Sequence, residues 1–134
     1  MAKQQLSPQE VVIEAKRYLN NAKEILREKG AKEEGHYRDA KYVKMAGHTA
    51  YTGVLFILDH YFGKKTKGRK DVDWYRINLS KEDRNILDSF ETVYEQLHLV
   101  MAYDGAGNAE VVKIGFREAE RIIDWVETRT ATAA

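Results

Sequence analysis

Residues 36–62 read HYRDAKYVKMAGHTAYTGVLFILDHYF. Ala40, Val43, Gly47, Ala50, Val54, Ile57 and Tyr61 recur at alternating steps of three and four residues. That spacing lays one seam along a helix and suits a partner helix crossing at a shallow, left-handed angle. Ala40, Ala46, Gly47, Ala50 and Gly53 keep the seam thin. Each glycine costs about 1 kcal/mol of helix propensity relative to alanine. The cost makes sense where something packs closely, either within the chain or in a second copy. The stretch therefore predicts a long helix from about residue 36 to 62, stopped by Gly63, and it sets an all-α fold.

Three further helices are expected around it. Ser7-Pro8-Gln9-Glu10 is a capping box with proline at the first helical position, opening a helix over about 8–29. Its stripe is Val12, Ala15, Tyr18 or Leu19, Ala22, and Ile25 or Leu26, with Gly30 as the stop. Ser80 reads as the cap of a helix over about 81–104, with Ile86, Phe90, Val93, Leu97 and Val100 on its core side. Asn108 reads as the cap of a last helix over about 109–128, carrying Val112, Gly115, Ala119, Ile122 and Val126. The resulting expectation is a single domain over 1–134. It would be an antiparallel four-helix bundle, its long middle connection permitting either a crossing or a plain up-down-up-down arrangement, with wholly apolar stripes that leave no room for a buried cofactor.

Composition narrows the function classes. The 134-residue chain is 43% hydrophobic and 32% charged, with a formal net charge of +1, so it has no global attraction for nucleic acid or anionic lipid. The absence of cysteine removes disulfides, thiolate nucleophiles and cysteine-ligated metals. The N-terminus is polar, and the apolar run Ala50–Phe62 is too short and too interrupted for a membrane span. A cytoplasmic protein with no membrane association is expected.

No complete catalytic motif is present. His48 and His60, twelve residues apart on one helix, are rotated by about 120° and share no face. Glu95-Gln96-Leu97-His98 has the Glu-x-x-His spacing of di-iron bundles, but the inward glutamates such a site needs are missing. Neither a metal nor another cofactor is expected. Ser7, Ser80 and Asn108 read as caps, not nucleophiles. The expected 63–79 connection holds Lys64, Lys65, Lys67, Arg69 and Lys70 before its first acid, Asp71, and then Trp74 and Tyr75. Cations beside aromatic faces are the two components of single-stranded nucleic-acid binding, and these seven residues are its candidates.

Ala15-Lys16-Arg17-Tyr18-Leu19-Asn20-Asn21-Ala22, Gly47-His48-Thr49-Ala50-Tyr51-Thr52-Gly53-Val54-Leu55 and the stretch Leu97–Gly105 give the chain a further likeness. In helix order and small-residue content it resembles the HEPN (higher eukaryotes and prokaryotes nucleotide-binding) domains over roughly Val11–Val126. The resemblance implies a helical homodimer. In active HEPN ribonucleases an Arg and a following His, near the end of the third helix, face the partner. Here His98 stands where the Arg would be and Tyr103 where the His would be, followed by Asp104. The resemblance so implies the family's non-catalytic use, a homodimeric binding or regulatory module with a nucleic-acid or protein partner. The alternative is a divergent nuclease using His98, Tyr103 and Asp104 with the basic loop.

Overall fold

The computed structural model describes residues 6–63, 68 and 70–132. The protein is all-helical apart from one miniature hairpin. Helix α1 spans Pro8–Lys29, strands β1 and β2 are Lys32–Glu33 and His36–Tyr37, and α2 spans Ala40–Phe62. Helix α3 spans Val72–Glu82, and α4 spans Arg84–Val93 and continues as a π-helical segment over Tyr94–Tyr103. Helix α5 spans Ala109–Thr132.

The expected caps at both ends of the chain are present. The Ser7 hydroxyl accepts from the Glu10 N–H and the Glu10 carboxylate accepts from the Ser7 N–H. The Glu10 carboxylate lies below its ordinary pKa, chiefly through the bond from the Ser7 backbone. Asn108 Oδ1 accepts from the N–H groups of Glu110 and Val111, and so opens α5.

Four boundaries differ from the sequence expectation. Residues 36–39 are not helical, because Glu34 and Gly35 both take positive φ and form a two-residue turn that pairs Glu33 with His36 and Lys32 with Tyr37. Helix α2 consequently starts at Ala40. Helix α3 occupies 72–82, most of what reads as the second half of a loop, and the connection shortens to residues 63–71. Asp71 caps α3 by accepting from the Trp74 N–H at 2.8 Å. Ser80 lies inside α3, where its hydroxyl donates to the Ile77 carbonyl, and Asp83 is the actual cap of α4, accepting from Asn85 and Ile86. Helix α5 runs on to Thr132, past the expected end at 128.

The core follows the seams with two changes of register. Val12, Ala15, Leu19, Ala22 and Leu26 of α1 are buried, as are Val43, Gly47, Ala50, Val54 and Ile57 of α2. Ala40, at the head of the expected α2 seam, is exposed. In the π-helical segment Met101, expected at the edge of the stripe, is fully buried, and Val100, expected at its centre, is only half-buried. The Asp104 N–H reaches back to the Leu99 carbonyl, a step of five residues, and this wider turn shifts the inward position by one.

The α5 stripe is not wholly apolar either. Glu118 is buried at the core margin and accepts from the Ser89 hydroxyl at 2.9 Å, with Arg121 and Arg117 reaching it at 3.4 and 3.6 Å. The pairing offsets the cost of placing a carboxylate there.

Helix directions can be read from the contacts. Lys16 pairs with Glu127 and Lys23 with Glu120, so α1 and α5 run antiparallel. Gly47 meets Leu97 and Met101 while Tyr51 meets Tyr94, so α2 and the third-helix segment do too. The three close-approach glycines are all filled from within the chain. A Cβ at Gly47 would lie 2.6 Å from the Leu97 carbonyl oxygen, and one at Gly53 2.5 Å from Tyr18 Cβ. One at Gly115 would lie 2.8 Å from Leu97 Cδ2. These positions therefore give no support to a second copy. Gly30 stops α1 without a left-handed backbone (φ −71°), since any Cβ would strike Tyr37 at 2.6 Å, and the positive φ falls on Ala31 instead.

Candidate functional site

The π-helical segment decides which side chains meet. In an α-helix, residues five apart are turned by about 140° and sit on different faces. A π-helix closes its hydrogen bond at i+5, so His98 and Tyr103 come onto one face together with Tyr94. The His98 and Tyr103 rings meet edge to face with centroids 5.9 Å apart. Helix α2 supplies the other wall: Tyr51 stacks on His98 at 4.7 Å and 26°, and also meets Tyr94 at 6.2 Å. Tyr94 lies 5.3 Å from His98. The imidazole is thus enclosed by three tyrosines, with Tyr103 largely open to solvent (71% exposed).

Burial sets the electrostatics of this cluster. Desolvation, with a smaller electrostatic contribution from His48, holds His98 below the usual imidazole pKa. His98 Nδ1 is buried with no hydrogen-bond partner among the described residues. Burial also pushes the Tyr51 phenol up to about 12, reinforced by Tyr94 and opposed by Arg76. Arg76 of α3 lies over the Tyr94 ring at 5.1 Å, but its guanidinium is committed to Glu91 at 2.6 Å and Asp73 at 3.1 Å.

Of the three sequence candidates here, His98 and Tyr103 are brought together. Asp104 follows the helix end, exposed, and no hydrogen bond joins its carboxylate to either ring. Tyr51, Tyr94 and Arg76 are not among the site candidates that the sequence offers. Tyr94 and His98 share the i, i+4 spacing of a helix face, which was the available signal. The approach of Tyr51 depends on α2 docking at Gly47.

The basic candidates divide. Lys64, Lys65, Lys67 and Arg69 lie outside the described residues. Lys70 pairs with Asp59 at 3.2 Å and sits 4.8 Å above the Trp74 ring. Trp74 folds onto the helix ends, edge-on to Phe62 and Tyr75. Tyr75 is 4% exposed and donates its hydroxyl to Asp59 at 2.5 Å. Burial and that bond raise its pKa well above the ordinary phenol value. Neither face of Tyr75 is open for base stacking.

The remaining histidines are spread out. His36 Nδ1 lies 3.3 Å from the Glu34 carbonyl and His60 Nδ1 3.0 Å from that of Phe56. Among the described residues no group of three or more His, Cys, Asp or Glu side chains is arranged to hold a metal ion. No helix among them is long and apolar enough to cross a membrane.

A small all-helical domain with a histidine–tyrosine cluster on its α2 and third-helix face is the class the fold and site define. The chain belongs to the family described as a domain of unknown function, DUF5618, which matches residues 10–128. It is similar to a solved protein of unknown function from Dyadobacter fermentans, with 77% identity and a TM-score of 0.91. That similarity covers 92% of this chain and 99% of the other. No curated protein matches it.

Proposed function

We propose that this protein is a non-catalytic, homodimeric binding or regulatory module of the cytoplasm. In this reading it is an antiparallel four-helix bundle of HEPN-like type, and the His98–Tyr103 face meets its partner. The observation that carries it is the state of His98, stacked on Tyr51, with Nδ1 buried and unbonded and with a lowered pKa. A general base is normally held by a hydrogen-bonded orienting group and needs a pKa near the working pH. His98 has neither. Arg76, the guanidinium over the Tyr94 ring, is held by two carboxylates and does not complete a phosphoryl-binding pair with it.

The surface suits association instead. Tyr103 (71% exposed) and Leu99 (37% exposed) place apolar area beside the cluster, and tyrosine is enriched at the centres of protein interfaces.

Light scattering after size exclusion tests the dimer. A dimer that Tyr103→Glu splits is expected, and a monomer at high concentration refutes it. Incubation with single-stranded RNA tests the absence of catalysis. Intact RNA is expected. Cleavage by wild type that is lost in both His98→Ala and Tyr103→Phe overturns the reading in favour of a divergent nuclease.

A further inference from the structure

A second concave site lies away from His98. The C-terminal half of α1, the hairpin and the first turns of α5 enclose a groove of about 490 Å³ that is open on one side. That volume is within the range of about 300–1,000 Å³ usual for small-ligand sites. Its apolar lining is Val112 and Phe116, both buried, with half-buried Tyr37 and Ala109.

Four cations line the groove, Lys23, Lys32, Lys113 and Arg117, against two acids, Glu110 and Glu120. Lys23 is neutralised by Glu120. Lys32 and Lys113 have no carboxylate within ion-pair distance among the described residues, and the exposed Arg117 has one, the buried Glu118 at 3.6 Å. Cations and ring faces already lie together, with Lys32 Nζ 5.9 Å from the Tyr37 centroid and Lys23 Nζ 6.0 Å from that of Phe116.

The groove is held in shape before any ligand arrives. The Tyr37 N–H donates to the Gly107 carbonyl at 2.8 Å, and the Ala109 N–H donates to that of Gly35 at 2.9 Å, tying the hairpin to the start of α5. Gly30 and Gly107 are without side chains where Tyr37 packs, with a Cβ excluded at 2.6 and 2.5 Å. The first N–H groups of α5 are already taken by Asn108 and Gly35, so an anion here depends on side chains.

We propose that this groove binds a small aromatic phosphate. Its flat body lies against half-buried Tyr37, and its dianionic head sits among Lys32, Lys113 and Arg117. The excess of positive charge in the lining favours a phosphate dianion over a monoanionic carboxylate, and the limited volume favours a small molecule over a polymer. None of these residues belongs to the His98 cluster, so the two proposals stand or fall separately.

The probe is 1-naphthyl phosphate, followed by amide chemical shifts of the full chain, with 1-naphthol, 1-naphthoate and inorganic phosphate as controls. Its roughly 15 heavy atoms at ordinary ligand efficiency give a Kd of about 0.5 mM. Saturable shifts confined to residues 30–37 and 107–117 are expected, with each control at least tenfold weaker and affinity falling as salt rises. Lys32→Glu combined with Lys113→Glu changes two exposed side chains and is expected to weaken binding tenfold or more. Tyr37→Leu should weaken naphthyl phosphate while leaving inorganic phosphate unchanged. The proposal is overturned by the absence of shifts at several millimolar, by shifts centred elsewhere, by inorganic phosphate binding as tightly, or by an unchanged Kd in the double variant.

Discussion

Replacing Gly47 with alanine sets helix propensity against packing. Propensity alone predicts a gain of about 1 kcal/mol. The new methyl group, however, would lie 2.6 Å from the Leu97 carbonyl oxygen, 2.6 Å from Met101 Cβ and 2.8 Å from the Ala102 nitrogen. Two of these are backbone atoms of the facing helix and cannot swing aside, so α2 and the third helix must move apart. Overpacking of this kind costs about 1–3 kcal/mol, and the backbone contacts place Gly47→Ala at the upper end. The net expectation is a loss of about 1–2 kcal/mol. With a urea m-value of about 2 kcal/mol per molar, the midpoint falls by about 0.5–1 M. Gly115→Ala is the internal control, because its methyl group meets Leu97 Cδ2 at 2.8 Å, the tip of a side chain that can rotate. There, propensity and crowding should cancel to within about 0.5 kcal/mol. Urea denaturation of both variants, followed by circular dichroism at one fixed protein concentration, decides the matter. If Gly47→Ala matches or exceeds wild type, or if Gly115→Ala is the more damaging, the close approach of α2 to the third helix is wrong.

Three other perturbations follow from the same geometry. Asp83→Ala removes the cap shared by the Asn85 and Ile86 N–H groups and should cost about 1 kcal/mol in thermal unfolding, whereas Ser80→Ala should cost much less. Tyr75→Phe deletes the 2.5 Å bond to Asp59 while leaving the Lys70 ion pair, a loss of about 1 kcal/mol. Because the folded phenol pKa is raised, its contribution is complete below pH 10 and is lost as pH rises further, so wild type and variant should converge in alkaline solution. His98 should titrate by NMR below the ordinary value of 6.5. Its folded pKa is depressed, so the unfolded chain takes up the proton first. Stability should fall as pH drops from 6.5 through the folded value, and His98→Asn should flatten that slope.

Much of this protein is local in origin and could be read along the chain. The Ser7 capping box and the Asn108 cap depend on neighbours three residues away, and both caps are made as the sequence implies. The α1, α2 and α5 seams depend on a period of 3.6 residues and are the faces that become buried. Helix α3 was harder to see because it buries only Tyr75 and Leu79, too few positions for a periodic signal. Its one clear mark, Asp71 three residues before Trp74, lies beside a run of lysines. The hairpin carries four strand residues and is held mainly by its clasp on Gly107 and Asn108, far along the chain.

The sequence by itself determined that the chain is helical, where its first and last helices begin and which faces most of them bury, because caps and periodicity act over one or two turns. Only the tertiary structure decided what Gly47 was for and which residues gather at His98. Nothing within Tyr94–Tyr103 marks a π-helix, yet that wider turn carries Tyr103 onto the face of His98. The thin backbone at Gly47, set against Leu97 and Met101, then lets Tyr51 stack on the imidazole from the other side. The α2 seam quoted from residues 36–62 could show that something must come close; the partner proved to be the chain's own third helix.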